Sequence, residues 1–237
     1  MSSKSLKKTL TEKKKVILAG FQLEMSFRWL EVLKELEMAI RDEKAGIIVL
    51  PEHALDIIEK NSGKPVKTVL KQLSELSARY QVTMIPGTYI DPENGNVFCP
   101  VIYNGKLIAN SKKYSQDLTV IDIEGLTVVI LICVEIERWQ KQQEVLKVQT
   151  DLIINPALIR MNNSAVLKYL GETSYSIARQ NAGEDLQDLA SRAECAIFRI
   201  DWAESFEEGY VGTTLCIDRD YQLIHTKQPS GLFIQTI

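Results

Sequence analysis

The chain is predicted to fold as a layered α/β domain of mixed sheets with outer helices, and three observations carry that expectation. Short apolar, β-branched runs at Val16 to Gln22, Gly46 to Leu50 and Val82 to Tyr89 have the pattern of buried strands. Two stretches between them repeat their apolar residues at helical spacing. The resulting strand–helix–strand–helix–strand order favours helices packed outside a sheet, and the strand-rich middle of the chain makes the sheets mixed.

Taken in order, the first helix places Trp29, Leu33, Leu36 and Ile40 on one face, with Ser26 as a candidate cap. The second, opening at Pro65, aligns Val69, Leu73, Leu76 and Tyr80. Strands are expected at Val97 to Tyr103, Lys106 to Ala109 and Leu118 to Ile123. The most hydrophobic run, Leu126 to Cys133, reads as a buried central strand, and the Gln- and Lys-rich stretch from Glu137 to Thr150 suits a helix after it. A further helix from Glu184 to Glu194 turns Leu186, Leu189, Ala190 and Ala193 inward, before strands at Ile197 to Trp202 and Thr213 to Asp218. Internal repeats are not evident.

Length and composition fit one enzyme-sized domain. At 237 residues and 45% hydrophobic content, the chain can bury roughly 70% of its unfolded surface. Residues 16–237 read as a single domain without a linker. Residues 1–15, with Lys4, Lys7, Lys8, Lys13, Lys14 and Lys15, read as a solvated basic tail. That tail has no aromatic residue to stack on bases, and the net charge is −3, so no nucleic-acid partner is expected. No apolar run approaches the roughly 20 residues of a membrane span, and no signal-peptide pattern opens the chain. The cytosol is the expected compartment, and the four cysteines, Cys99, Cys133, Cys195 and Cys216, suit it if they stay unpaired. Their spacing lacks Cys-x-x-Cys or histidine pairing, so neither a metal site nor a cofactor is expected. Glycine-rich phosphate loops are absent, and with only His53 and His225 a Ser-His-Asp apparatus has little to draw on.

Cys133 draws attention because the apolar run ends on it and the chain then turns polar at Glu135, Glu137 and Arg138. Beside a helix N-terminus, unpaired backbone N–H groups favour a thiolate and an oxyanion. A cysteine closing an apolar strand is more often core filling. Two other segments end the same way, however: Gly46 to Leu50 breaks at Pro51 and delivers Glu52, and the stretch from Gly105 delivers Lys112 and Lys113. Read alone, Glu52 is a solvated strand-end residue and the lysines are charged surface. His53, next to Glu52, reads as a hydrogen-bonded structural residue near the pocket.

Leu-Pro-Glu at 50–52, Lys113 after Gly-Lys-Leu, and Ile-Cys-Val-Glu at 132–135 together resemble the carbon–nitrogen hydrolase, or nitrilase, superfamily. Asp151-Leu-Ile-Ile-Asn-Pro-Ala157 and Ser191-Arg-Ala-Glu194 add to the likeness, which runs from Val16 along nearly the whole chain. The resemblance implies a two-sheet αββα sandwich that pairs into homodimers or larger homo-oligomers. It also implies Cys133 as nucleophile on a small-molecule amide, Glu52 as base, and Lys113 rather than Lys112 facing the oxyanion with the Val134 N–H. Asn155 and Ala157 are expected near the pocket, with the loop to Arg160 lining it. Arg160 is a candidate partner for a substrate carboxylate, although an exposed surface arginine is the commoner case.

The chain also departs from the family pattern. Lys113 and Cys133 lie only 20 positions apart (113 to 133), a segment noticeably shorter than usual. The second glutamate which that segment commonly supplies has no clear substitute; Asp117, Asp122 and Glu124 are candidates by proximity alone. Tyr114, Ser115 and Gln116 replace the usual His-Leu pair, and Glu137 to Gln140 stand where an arginine, an aromatic residue and Pro-Glu are common. Three readings stay open: an amidase, with nitrile hydrolysis a less common variant; an acyltransferase using the same thioester; and a binding module that has lost catalysis.

Overall fold

A computed structural model describes residues 15–159, 183–203, 212–226 and 230–237. The basic tail except Lys15, and Arg160, lie outside these residues. The first half of the chain runs β1 (Ile17–Gln22), α1 (Trp29–Arg41), β2 (Ile47–Val49), α2 (Ala54–Ser62), α3 (Val66–Tyr80), β3 (Thr83–Ile85), β4 (Tyr89–Ile90), β5 (Val97–Tyr103) and β6 (Lys106–Lys112). The second half runs β7 (Thr119–Ile123), β8 (Leu126–Ile130), a 3-10 turn (Cys133–Glu137), α4 (Trp139–Val145) and β9 (Leu152–Pro156), then β10 (Ala196–Ile200), β11 (Leu215–Ile217), β12 (Leu223–His225) and β13 (Gly231–Thr236). Helical residues 183–193, here α5, precede β10.

Among the described residues these strands form two sheets. One has the order β13-β1-β2-β3-β5-β4 with β6 paired to β5, and the other runs β12-β11-β10-β9-β8-β7. Each is built on three parallel strands, β1-β2-β3 in one and β8-β9-β10 in the other, flanked by antiparallel neighbours. Leu18, Ile47, Val49 and Val101 of the first sheet meet Val128, Ile130, Ile154 and Phe198 of the second in one apolar layer. The opposite face of the first sheet packs on α1, α2 and α3 through Leu36, Leu55, Ile58 and Leu73. That of the second packs on α4 and α5 through Val145, Leu186 and Leu189. The architecture is therefore the αββα sandwich of mixed sheets that the resemblance implied, and the paired strands explain why apolar runs rather than alternating ones mark its centre.

One contact fixes how closely the sheets approach. A Cβ on Gly20 of β1 would fall 1.8 Å from Ile200 Cδ1 of β10, so only glycine lets that isoleucine fill the space.

Several local expectations shift. Ser26 does not cap α1: the N-cap is Arg28, in extended backbone with no side-chain cap, and Glu31 supplies the favourable charge in the first turn. Val32 is buried more deeply than Leu33 because it sits nearer the centre of the face. Pro65 is the N-cap of α3 rather than its first helical residue. The Val82 to Tyr89 run divides into β3 and β4, and the Lys106 strand extends to Lys112. The Leu126 strand stops at Ile130, and the 3-10 turn intervenes before α4.

Candidate active site

Parallel strands place their following residues at one edge of each sheet, where open α/β folds bind ligands. Glu52 follows β2, Cys133 follows β8, Ala157 and Leu158 follow β9, and Asp201 and Trp202 follow β10. Lys113 comes just past β6, its backbone N–H on Val97 O at 2.9 Å.

Glu52 is held through its backbone. Leu50 N donates to Ile85 O at 2.9 Å, and Pro51 ends the ladder because it has no N–H to give. Gly87, at φ +75°, presses on this turn: a Cβ there would lie 1.9 Å from Pro51 O. Glu52 N donates to Ala157 O at 3.2 Å, and Glu52 O accepts from Trp202 Nε1 at 2.7 Å. Trp202 is in turn placed by the buried Asp201 carboxylate, which accepts from Trp202 N at 2.8 Å, Ile159 N at 3.1 Å and Thr213 N at 2.9 Å. Burial raises the Asp201 pKa against these hydrogen bonds.

Cys133 begins the 3-10 turn at φ +53°, a left-handed conformation that costs a β-carbon residue on the order of 1–3 kcal/mol and that clusters at functional sites. Two side chains hold the turn. Asn155 Nδ2 donates to Leu131 O at 2.5 Å and to Cys133 O at 3.0 Å. The buried Glu135 carboxylate accepts from Ile132 N at 2.8 Å and from Tyr114 N at 2.6 Å, so it joins the cysteine turn to the residue after Lys113. At the far end of the turn, Glu137 pairs at 3.2 Å with the fully buried Arg199 of β10.

These constraints bring Glu52, Lys113 and Cys133 together. Lys113 Nζ donates to Glu52 Oε1 at 2.5 Å, with Glu52 1% exposed. The Glu52 charge bears on the Cys133 thiol, whose Sγ contacts Leu158 O at 3.6 Å. Burial works to lower the Lys113 pKa, but the hydrogen bond and charge of Glu52 outweigh it, and the ammonium is retained. Burial and then the Glu52 charge push the Cys133 thiol up to about 12, against the pull of Lys113. The thiolate favoured by a helix N-terminus is therefore not the resting form. The segment opening at Cys133 is a five-residue 3-10 turn rather than an α-helix, and burial dominates.

Lys112 ends β6 with its side chain exposed, on the face opposite Lys113. Val134 is partly buried beside the cysteine. Asn155 lies beneath the turn, fully buried, and Ala157 is buried with its carbonyl on Glu52 N. Asp117 is exposed in the segment before β7, and Asp122 and Glu124 are exposed on the β7–β8 hairpin, where Asp122 Oδ1 accepts from Gly125 N at 3.1 Å. Glu124 approaches Gly46, at the end of β2 remote from Glu52. Glu135, Asp201 and Trp202 have no role assigned from sequence. Glu135 left the one usable signal, a carboxylate two residues after the cysteine in an otherwise apolar motif. Among the described residues, no group of three or more His, Cys, Asp or Glu side chains is placed to hold a metal ion.

No protein-family model matches the chain, and no curated protein matches it in sequence. Solved structures do. Saccharomyces cerevisiae Nit3, of branch 10 of the nitrilase superfamily, aligns at a TM-score of 0.63 and 17% identity over 94% of this chain and 90% of its own. An amidase from Nesterenkonia sp. aligns at 0.67 and 12% identity over the same shares. A variant of that amidase carries the acetamide moiety of fluoroacetamide covalently on its active-site cysteine. The glutamine-dependent NAD+ synthetase of Acinetobacter baumannii aligns at 0.69 and 17% identity over 94% of this chain, which spans 45% of that enzyme. At these identities the likeness establishes the fold, and the fold is that of the nitrilase superfamily.

Proposed function

We propose that this chain hydrolyses a non-peptide C–N bond in a small amide through a cysteine thioester. The observation that carries the reading is the convergence of Glu52, Lys113 and Cys133 from three separate strand ends into one buried cluster. Glu52 takes the thiol proton as Cys133 Sγ bonds to the amide carbon, and the carbonyl oxygen becomes an oxyanion facing the Lys113 ammonium and the Val134 N–H. The oxyanion collapses, the C–N bond breaks, and Glu52 returns the proton to the leaving nitrogen, leaving a thioester. Water then attacks with Glu52 again as base, and the Cys133 sulfur departs with its proton restored. A thiol held near 12 makes the carboxylate's part necessary, since little free thiolate exists at neutral pH.

The test is ammonia release from a panel of small aliphatic and aromatic amides. Cys133→Ala and Glu52→Gln are both expected to abolish turnover of any substrate found. Loss in Cys133→Ala with full activity in Glu52→Gln would show that the base is assigned wrongly.

A further inference from the structure

His53 stands directly after the proposed base and has no part in the steps above. Its backbone is left-handed, at φ +61°, and its N–H donates to Thr88 Oγ1 at 2.8 Å, which fixes where the ring can go. Nδ1 lies 2.8 Å from Asp56 Oδ2 on α2, and the other oxygen of that carboxylate accepts from Ile90 N at 3.0 Å. With Nδ1 against Asp56, Nε2 is turned toward Glu52, 3.8 Å from Oε1. That separation is too long for a hydrogen bond and short for a charge interaction. Glu52 is almost fully buried, whereas the His53 side chain is 24% exposed, so the imidazole can exchange protons with solvent and the carboxylate beside it cannot do so directly.

We propose that His53 is a positioning residue for the base: its protonation sets a second cation beside Glu52 and slows transfer of the Cys133 proton. Among the described residues, the charged and titratable groups facing this pair are Asp56 from α2, Cys99 of β5, Lys113 after β6 and Cys133 after β8; β4 presents the Ile90 N–H. Asp56 favours the charged imidazole. Lys113 already neutralises Glu52, so an added imidazolium makes the carboxylate a weaker base. Histidine is the side chain whose ordinary charge change falls between about pH 5 and 8, the range across which the effect is to be sought. The direction is lower nucleophile reactivity as pH falls. This inference rests on the reading of Glu52 as the base of Cys133.

The experiment is the rate of iodoacetamide labelling of Cys133 across pH 5–9 in the wild type and in Glu52→Gln, His53→Asn and Asp56→Asn. Asparagine is chosen at position 53 because it tolerates left-handed backbone. The ratio of the His53→Asn rate to the wild-type rate should be near one at pH 9 and rise to about tenfold at the acid end, the effect expected of one charge at this distance. Asp56→Asn should keep the wild-type step but move its midpoint to lower pH, a displacement that loss of packing alone would not produce. A ratio flat across pH, or an Asp56→Asn midpoint unmoved, overturns the role of His53 provided Glu52→Gln suppresses labelling. Labelling indifferent to Glu52→Gln overturns the base assignment itself, and the inference with it.

Discussion

The three residues at the site depend on one another's charge. Lys113 is bound to Glu52 rather than to solvent, so its loss leaves a buried carboxylate without its cation and, on the proposed mechanism, an oxyanion without its donor. Lys113→Ala is expected to lower kcat/KM at least a hundredfold, the cost of about 3 kcal/mol that one preorganised donor represents, as measured on any amide the chain turns over. Glu135 works on the backbone instead. Glu135→Ala removes two charge-assisted hydrogen bonds and should destabilise the fold by about 3 kcal/mol, read from chemical denaturation, while loosening both the Lys113 segment and the Cys133 turn. Glu135→Gln keeps one acceptor and should fall between that variant and the wild type. Glu52, Lys113 and Cys133 each end an apolar run, but it is the family resemblance that singles them out, because read alone each has a commoner structural reading. Glu135 was not legible, because a buried carboxylate whose partners are backbone N–H groups leaves no spacing pattern in the chain.

At the scale of elements, the strands of the parallel cores were legible from their apolar composition, and α1 and α3 from their helical periodicity. The 3-10 turn at Cys133 was not, because the side chain that holds its first carbonyl, Asn155, comes from β9. Helix α2 escaped for a related reason: its buried face is only Ala54, Leu55 and Ile58, too short to show a period, and only residues 50–53 separate it from β2. Strands β12 and β13 also carry no strong pattern, since their partly exposed residues gain their place by pairing with β11 and β1. The packing of the two sheets makes its own prediction. Gly20→Ala should destabilise the protein by about 1–3 kcal/mol in denaturant unfolding, because the added methyl meets Ile200 in a filled layer. Adding Ile200→Ala should cost less than the sum of the two single changes, the coupling expected of residues in contact.

For the whole molecule, the fold brings the carboxyl ends of two parallel three-strand cores to one place, and that convergence makes Cys133, Glu52 and Lys113 neighbours although they are dispersed over the sequence. The second sheet followed from the family resemblance; periodicity identifies strands but says nothing of which sheet each joins. The central claim, that Cys133 is a nucleophile activated by Glu52 and not a core cysteine, is tested most directly without any substrate. The four cysteines are all buried and none is in a disulfide, so their iodoacetamide labelling rates, resolved by peptide mass, can be set side by side. Cys216, whose thiol burial also pushes up to about 12, is the natural control because Asp218 and not a Glu–Lys pair lies beside it. Labelling of Cys133 near pH 7 well ahead of Cys99, Cys195 and Cys216, and lost in Glu52→Gln, is the predicted result; labelling of Cys133 at the rate of Cys216 and unchanged by Glu52→Gln would contradict it.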